Sequence, residues 1–520
     1  MKPSRDAARA ACGPRPAAGK QRRGGRGADA PGRCANVPRV IPAPSVSSPR
    51  AVRLAFAASA LLSLWFAWRV PLLDPDEGRN AEVAREMAAS GDVVIPHLGG
   101  MPYLDKPPGL FAAGALAVRA FGANRVAVRL PALVASLVTL WLLARAARRL
   151  ARAPGEPGDG HDLDVVLLTA SAPLFAPLAA YVIFDMPLAA CVTAVWTGVA
   201  LETATGRSNG RRLAMFAAVA IGVLLKGPVM LAWAIGGSAG AALLVRSRAP
   251  LAWLAWAPGW LAVLALAGGW FALALRRHPE YARYAFLEES LERLTSRSFA
   301  REQPWWFVPA VLAGGALPWS LATPWRAPRS PSARIAAGFV LFAAVFFTFS
   351  RSKLVTYLLP AIPALAWWGA ACWRERAGRL PRPLLAGLLL APLLMTAGSP
   401  WVVRYARTQS GEPLAEAVAR AGAATVLYDN CYSPGSDFRL GRLSEVVSEG
   451  GHVLTSNYVV RYRDSLEARG LWRFHPSVEA APATDVVVLP ARARAEGRER
   501  WGDPLFENQR FVAFRRGAAR

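Results

Sequence analysis

Apolar runs of roughly 17 to 25 residues recur along this chain, and each is long enough to cross the hydrocarbon core of a bilayer. Hydrophobic residues make up 53% of the 520 residues, and the mean hydropathy is +0.25. Such a composition is typical of many spans joined by short loops. The predicted fold class is a mainly α, polytopic membrane protein with about eleven transmembrane helices. The predicted spans are 51–71, 127–147, 163–182, 186–203, 212–225, 228–246, 251–275, 305–325, 334–350, 356–373 and 383–403.

The net charge of +26 lies mostly in a basic N-terminal tail and in short gaps between apolar runs. Arginine placed in this way orients membrane spans and does not indicate nucleic-acid binding. With the tail in the cytoplasm, the arginine clusters at 145–152, 207–212, 326–334 and 374–382 also fall inside. The segments predicted outside are 71–126, Asp185, 276–304, 350–356 and everything after the last span.

Three domains are predicted. Residues 1–50 lack a periodic apolar pattern and are expected to be a disordered cytoplasmic tail, unless the start codon is assigned too early. Residues 51–405 form the transmembrane domain. From 406 to 520, acids and short β-like runs such as ATVLY and TDVVVL alternate with helical patterns, which predicts a small soluble α/β domain outside the membrane.

The first outer loop is expected to contain two interfacial helices. Residues 109–122 are apolar, but they are short and include Arg119, and a span there would move the later arginine clusters outside the cell. They are therefore interpreted as a helix lying on the membrane surface. Residues 79–89 predict a second short helix, with Asp76 near its N-terminus.

Polar motifs recur on the predicted outer side. They are DPDEGRNAEVAREM and PYLDKPP in the first loop, FDMP and LLKGP at span ends, and SKLVTYLLP at a later span. Charged side chains beside a membrane are costly to desolvate, so this density indicates a water-accessible site, although any one charge could simply be solvated. The five cysteines have neither disulfide nor metal-ligand spacing, and the sequence has no GxGxxG, P-loop, CxxC or HExxH motif.

Taken in this order, these motifs resemble the bacterial branch of the protein O-mannosyltransferase superfamily, above all the aminoarabinose transferases of lipid A. The resemblance covers roughly residues 55–370. It implies a GT-C membrane fold and a polyprenyl-phosphate sugar donor used at the periplasmic face of the bacterial inner membrane. The chain departs from the family at Asn80, where a tyrosine is usual, and at Ala300, where a histidine is common.

The resemblance and the shared membrane side together give a set of site residues. Asp76 and Asp185 are the predicted catalytic acids. The donor phosphate is expected at Arg79, Lys106, Lys353 and Tyr357. The predicted substrate contacts are Glu77, Tyr103, Asp105 and Lys226.

Polyprenyl phosphate is a good leaving group when cations neutralise its developing charge. An acceptor hydroxyl would need Asp76 as a base, whereas an acceptor phosphate would need only positioning. The acceptor is expected to be a lipid resembling lipid A, a glycan or a protein, and the other partners are membrane lipids. No nucleotide is expected, and the chemistry does not require a divalent metal, although Asp76 and Asp185 could hold one.

Three alternatives remain open from the sequence. The first is a transporter or lipid flippase, which charges within the spans would favour. The second is an assembly protein that uses only the C-terminal domain. The third is a polymerase or ligase of surface glycans with a similar membrane fold.

Overall fold

The computed structural model describes residues 49–285, 287–288, 302–388 and 398–516. It is mainly helical, as predicted, and nearly all of the predicted N-terminal tail lies outside the described residues. The helices are α1 (Pro49–Arg69), α2 (Asp76–Ser90), α3 (Gly109–Phe121), α4 (Arg125–Leu150), α5 (His161–Ala170), α6 (Asp185–Thr205), α7 (Asn209–Lys226), α8 (Val229–Val245), α9 (Ala257–Val263), α10 (Gly269–Arg277), α11 (Tyr281–Arg283), α12 (Phe307–Gly314), α13 (Trp319–Ala322), α14 (Pro331–Phe349), α15 (Ile362–Ala377), α16 (Ser399–Gln409), α17 (Glu412–Arg420), α18 (Pro434–Leu440), α19 (Asn457–Arg461), α20 (Arg463–Ala468) and α21 (Arg494–Trp501). The strands are β1 (His97–Leu98), β2 (Met101–Pro102), β3 (Val426–Asp429), β4 (Glu445–Val447), β5 (Val486–Pro490), β6 (Phe506–Glu507) and β7 (Phe511–Arg515).

Within the described ranges, six helical stretches are long and apolar enough to cross a membrane. They are Pro49–Arg69, Arg125–Leu150, Asp185–Thr205, Ala257–Arg277, Pro331–Phe349 and Val355–Ala377. Each coincides with a predicted span. Each of the predicted spans 212–225 and 228–246 corresponds to one helix, α7 and α8 respectively.

Of the remaining predicted spans, two are not continuous helices. Helix α5 ends at Ala170, and a 3-10 turn follows at Pro177–Ala180, because Pro173 and Pro177 cannot continue the helical hydrogen bonding. The predicted span 305–325 is divided between α12 and α13 at a Gly-Gly pair followed by Pro318. The predicted span 383–403 lies partly outside the described residues, so the count of eleven spans stays a prediction.

The first loop contains both predicted helices, joined through the β1–β2 hairpin. Helix α2 begins at Asp76, three residues before its predicted start, because acids in the first turn favour the positive end of the helix dipole. It ends at Ser90, and the capping residue Gly91 that follows has a φ of 74°, which suits a residue without a side chain. Helix α3 ends one residue before its predicted limit.

The C-terminal part contains a five-stranded sheet in the order β4-β3-β5-β7-β6. Strand β3 is parallel to β4 and β5, whereas β7 is antiparallel to β5 and β6. The central strands are apolar on both faces, and Leu427, Val487 and Val512 pack with Trp501 and Phe514 on one of them. The alternation of strands and helices thus gives the expected α/β arrangement, while its status as a separate domain stays a prediction.

A buried carboxylate of the first loop joins it to the C-terminal part. Asp74 accepts hydrogen bonds from Ser433 Oγ at 2.6 Å and Gly435 N at 3.1 Å, and burial raises its pKa to about 6. A Cβ on Gly78 would overlap this carboxylate and lie 2.8 Å from Gly435 N. The glycine of the DEGR motif therefore allows α2 to approach α18 closely.

A buried ion pair holds the start of α2 against the helical body. Glu77 and Arg129 leave 0% and 1% of their side-chain surface exposed, and Arg129 donates to the two carboxylate oxygens at 2.6 and 2.9 Å. Its other N–H groups donate to the carbonyls of Ala67, Val70 and Pro71. Because both charges are fully bonded, the pair can be buried, but removing one partner would be costly.

Replacement of Arg129 by methionine tests this pair. We expect Arg129→Met to lower the free energy of unfolding by about 3–5 kcal/mol, because the Glu77 charge would stay buried without a partner. Arg149→Met is a matched control on the same helix, since Arg149 is exposed and its replacement should change the free energy of unfolding by about 0.5 kcal/mol or less. Thermal unfolding in detergent measures both, and equal shifts would contradict the structural role of Arg129.

Three buried acids lie where α2 meets α18. Glu82 is bound by Arg85, Glu86 accepts from Gly99 N and Gly100 N, and Asp437 accepts from Tyr432 and Ser444. Burial raises the pKa of Glu86 to about 7. Burial also raises the pKa of Glu82 and of Asp437, and the charge of Glu82 raises that of Asp437 further. The folded protein therefore holds protons here that the unfolded chain releases near pH 4.

Stability should fall as the pH rises from about 5 to 8, because the folded state binds more protons than the unfolded state in this window. One such proton changes the free energy of unfolding by about 1.4 kcal/mol per pH unit. In Asp437→Asn the amide can still bond Ser444. We expect this variant to show a smaller decrease of stability with pH and to unfold at a higher temperature than the native protein at pH 8. Asp485 is exposed and its backbone hydrogen bonds lower its pKa, so Asp485→Asn should leave the slope unchanged. A pH series of thermal midpoints compares them, and an unchanged slope in Asp437→Asn would disprove the proton linkage.

Candidate active site

A cavity of about 820 Å³ lies among the helices beside the first loop. Large apolar side chains form most of its wall, including Trp233, Trp260, Trp270 and Phe347. Leu264 also lines the cavity and leaves 67% of its surface exposed, so the cavity reaches the outer surface of the helical body. Its size is that of a ligand pocket, and its apolar wall suits a hydrocarbon chain.

A cation lies at the wall of this cavity. Lys226 is the last residue of α7 and forms an ion pair with Asp185, the first residue of α6. Each charge occupies the helix end whose dipole favours it. The Lys226 ammonium also lies 4.4 Å from the centre of the Tyr357 ring. Lys226 and Tyr357 therefore line the cavity together, and Asp185 holds the lysine in place.

Lys106 lines the same cavity, and its ammonium donates to the Asp105 carbonyl at 2.7 Å. Ser352 adds a hydroxyl that the sequence analysis did not single out. Its Oγ is buried and has no hydrogen-bond partner among the described residues. A buried hydroxyl without a partner is costly, so an oxygen of a ligand would satisfy it. The only sequence signal for Ser352 is its place in SKLVTYLLP.

A second group of predicted residues lies at the start of α2. Asp76 is two-thirds exposed and accepts from Arg79 Nη2 at 2.7 Å. The other end of the Arg79 guanidinium donates to Thr455 Oγ1 at 2.8 Å, and the guanidinium carbon lies 6.0 Å from the centre of the Tyr103 ring. Burial opposes the charge of Arg79, but nearby Tyr103 and Asp76 keep its pKa raised. Asp76 thus presents an exposed carboxylate beside a fixed cation.

Two predicted substrate contacts have different roles in this structure. Glu77 is fully buried and paired with Arg129, so its position does not support the predicted contact with substrate. Asp105 does line the cavity, but its carboxylate accepts from Tyr284, Ser456 and the backbone of Asn457. It therefore fastens the first loop to α19. No local signal in the sequence could have identified partners so far along the chain.

The predicted phosphate ligand Lys353 does not line the cavity with the other cations. Its ammonium is buried and donates to the Gln303 carbonyl at 2.9 Å. Its neighbours Ser350 and Ser352 line the cavity instead. The donor-phosphate role expected for Lys353 is therefore not supported by its position.

The residues present do not fit a divalent metal at Asp76 and Asp185. Each carboxylate already pairs with a cation, Arg79 and Lys226 respectively. In the part of the chain that the structure describes, no three His, Cys, Asp or Glu side chains are grouped to hold a metal ion.

The arrangement of helices is that of a solved membrane glycosyltransferase. The chain is similar to ArnT from Cupriavidus metallidurans bound to undecaprenyl phosphate, with a TM-score of 0.72 and 24% identity over 90% of this chain and 98% of that one. The apo state of ArnT gives a TM-score of 0.69 and 23% identity over 89% and 97% of the two chains. The predicted polytopic GT-C fold is therefore confirmed.

Curated relatives agree with the structural similarity. The chain is 28% identical over 326 residues to the undecaprenyl phosphate-alpha-4-amino-4-deoxy-L-arabinose arabinosyl transferase of Edwardsiella ictaluri, covering 60% of this chain and 58% of that protein. It is 30% identical over 332 residues to the protein of the same name from Pseudomonas paraeruginosa, covering 59% and 57%. The chain thus spans less than two thirds of the length of these relatives. No family model matches it.

These comparisons confirm the resemblance to the aminoarabinose transferases that the motifs indicate. Nothing in them supports the transporter alternative. The roles of individual site residues stay predictions.

The different positions of two lysines predict different effects on donor binding. We expect Lys106→Gln to weaken binding of undecaprenyl phosphate by about 10-fold or more, because a charge-assisted contact in the cavity would be lost. Lys353→Gln is the matched control, since it also removes an ammonium that donates to a backbone carbonyl but lies away from the cavity wall, and it should leave donor affinity unchanged. Equilibrium binding of radiolabelled undecaprenyl phosphate in detergent measures both. Equal losses in the two variants would show that the cavity does not distinguish these lysines.

Proposed function

We propose that this protein transfers a sugar, in the class of an aminopentose, from a polyprenyl-phosphate donor to a lipid acceptor. The observation that carries the proposal is the apolar cavity with Lys106, Lys226 and Tyr357 on its wall. An apolar chain could occupy the body of the cavity while its phosphate meets the two ammonium groups. ArnT, whose fold this chain has, was crystallised with undecaprenyl phosphate, which is a ligand of this kind.

The proposed donor step breaks the bond between the sugar C1 and the phosphate oxygen. The polyprenyl phosphate leaves as an anion, and Lys106 and Lys226 stabilise the charge that develops on it. Asp185 acts on this step only through Lys226, so we assign it a positioning role in place of the predicted catalytic one. Ser352 supplies a further hydrogen bond to a phosphate oxygen.

The proposed acceptor step forms a new bond between the sugar C1 and an acceptor oxygen. Asp76 is the group that meets the acceptor, since its carboxylate is exposed and Arg79 fixes its direction. If the acceptor is a hydroxyl, its proton passes to Asp76. If the acceptor is a phosphate, no proton moves and Asp76 only orients it. A lipid resembling lipid A offers both kinds of oxygen, and a protein or glycan acceptor is the second candidate.

We place this reaction at the periplasmic face of the bacterial inner membrane. The arginine clusters between spans support this orientation through the positive-inside rule. It puts the first loop, with Asp76 and Lys106, on the same side as the C-terminal sheet that contacts it. The C-terminal part would then be periplasmic.

The proposed activity is tested with the purified full-length protein in detergent. Undecaprenyl-phosphate aminoarabinose and lipid A are supplied, and mass spectrometry follows both the released undecaprenyl phosphate and the modified acceptor. Release that depends on acceptor is expected. If neither this donor nor other polyprenyl-phosphate pentoses and hexoses are consumed, the transferase proposal is wrong.

Asp76→Asn separates a base from an orienting group. With a hydroxyl acceptor we expect single-turnover transfer to fall by about 100-fold or more, within the range that general-base catalysis contributes, while donor binding stays normal. With a phosphate acceptor the loss should be milder. Asp464→Asn is the control, because Asp464 is an exposed acid in the first turn of α20 and should show only the cost of a helix end, about 1 kcal/mol or less. Full transfer by Asp76→Asn at normal expression would remove Asp76 from the mechanism.

A further inference from the structure

A second cavity, of about 460 Å³, lies where the first loop meets the C-terminal sheet. It is separate from the apolar cavity and has no wall residue in common with it. Its polar lining comes from three segments of the chain that are distant in sequence. These side chains are Asn430, Tyr432, His452, Thr455 and Arg510.

The second cavity occupies the position where open α/β sheets bind ligands. Strands β3 and β5 are neighbours at the centre of the sheet. The strand that follows β3 in the chain, β4, lies beyond β3, whereas the strands that follow β5 lie beyond β5 in the opposite direction. A crevice forms at the carboxyl ends of neighbouring strands where the connections diverge in this way. Asn430, Cys431 and Tyr432 follow β3 directly, and Phe511 pairs with Pro490 at the end of β5. All but Pro490 line the cavity.

The charges in this cavity favour an anion. Arg510 is half-buried, and its Nη1 donates to the Gln409 carbonyl at 3.0 Å, which fixes the guanidinium. Among the described residues its other guanidinium N–H groups have no hydrogen-bond partner, so they are available to a ligand. His452 is exposed at the cavity wall. The nearby acid Asp429 accepts a hydrogen bond from the Asn430 amide at 2.8 Å, and Asp74 is buried behind the wall with Ser433. A fixed guanidinium at a partly buried site is well suited to a phosphate.

The second cavity is connected to the proposed active site through Arg79. Thr455 lines the cavity and accepts a hydrogen bond from Arg79, and Pro75 of its wall directly precedes Asp76. On the other side Arg79 contacts Tyr103, which directly precedes the donor-cavity residue Leu104 in the chain. Arg79 therefore contacts a wall residue of the second cavity on one side and a neighbour of the first cavity's wall on the other.

We propose that this second cavity binds a phosphate group on the head of the acceptor lipid, with Arg510 as the principal contact. The inference rests on the proposed transferase function and adds where the acceptor sits and what chemistry holds it. A bound phosphate would place the acceptor head beside Asp76, while the donor phosphate occupies the wall of the other cavity. Arg510 and His452 are thus binding residues that the sequence analysis did not identify.

Equilibrium binding tests this site without turnover. Fluorescent lipid A carrying its phosphates, and the same lipid after enzymatic dephosphorylation, are titrated into the full-length protein in detergent. We expect Arg510→Gln to weaken binding of the phosphorylated lipid by about 10-fold or more and to leave the weak binding of the dephosphorylated lipid unchanged. His452→Glu, at an exposed position that tolerates substitution, should weaken the same binding by placing a negative charge in the cavity.

Arg515→Gln is the matched control, because Arg515 is the last residue of β7 and Arg510 directly precedes that strand. Arg515 also donates one hydrogen bond to a backbone carbonyl, that of Ala421, but does not line the cavity. It should bind both lipids as the native protein does. Equal binding of the two lipids by the native protein, or native affinity for phosphorylated lipid A in both Arg510→Gln and His452→Glu, would overturn the proposal. Undecaprenyl phosphate binding is measured on the same samples, so that loss of the donor site is recognised separately.

Discussion

The buried pair between Glu77 and Arg129 is the interaction on which the site depends. It joins the end of α1, the start of α2 and the first turns of α4, and the same carboxylate also accepts from Val182 N. On a helix, residues three apart share a face. Glu77 and Asn80 therefore both turn toward the Val182 backbone, while Asp76 and Arg79 turn toward the C-terminal part. A buried ion pair on one face of α2 thus fixes the Asp76–Arg79 pair on the other.

Charge neutralisation governs the rest of the arrangement. Desolvated charges are tolerated only when paired or fully hydrogen-bonded, and the carboxylates of the first loop follow this rule. Asp74 and Asp105 are buried and engage the C-terminal part, whereas Asp76 stays exposed beside its cation. The acids that look equivalent in the sequence therefore divide into those that assemble the structure and the one that remains available for chemistry.

The two cavities differ in the way the two proposed substrates differ. One has an apolar wall that reaches the surface of the helical body, with two ammonium groups on it, and suits a lipid-linked phosphate. The other is formed by the carboxyl ends of sheet strands and by the first loop. It carries a guanidinium and suits the hydrophilic head group of a lipid. Arg79 contacts the surroundings of both, so a sugar passing from one ligand to the other would do so beside the Asp76–Arg79 pair.

The sequence by itself determined the membrane class, most of the spans, both first-loop helices and the α/β character of the C-terminal part. These are local properties, since apolar run length, periodicity and turn residues are read within a few turns of chain. Only the tertiary structure decided which charged side chains are buried in structural contacts and which remain accessible. Glu77 lies one residue from Asp76, yet its partner is 52 positions away, and Asp105 bonds a serine 351 positions away. Lys353 faces Gln303 while its neighbour Ser352 lines the cavity. The breaks at Pro173 and Pro318 had visible signals, but the position of Arg510 beside the first loop had none, because it follows from the order of strands in the sheet.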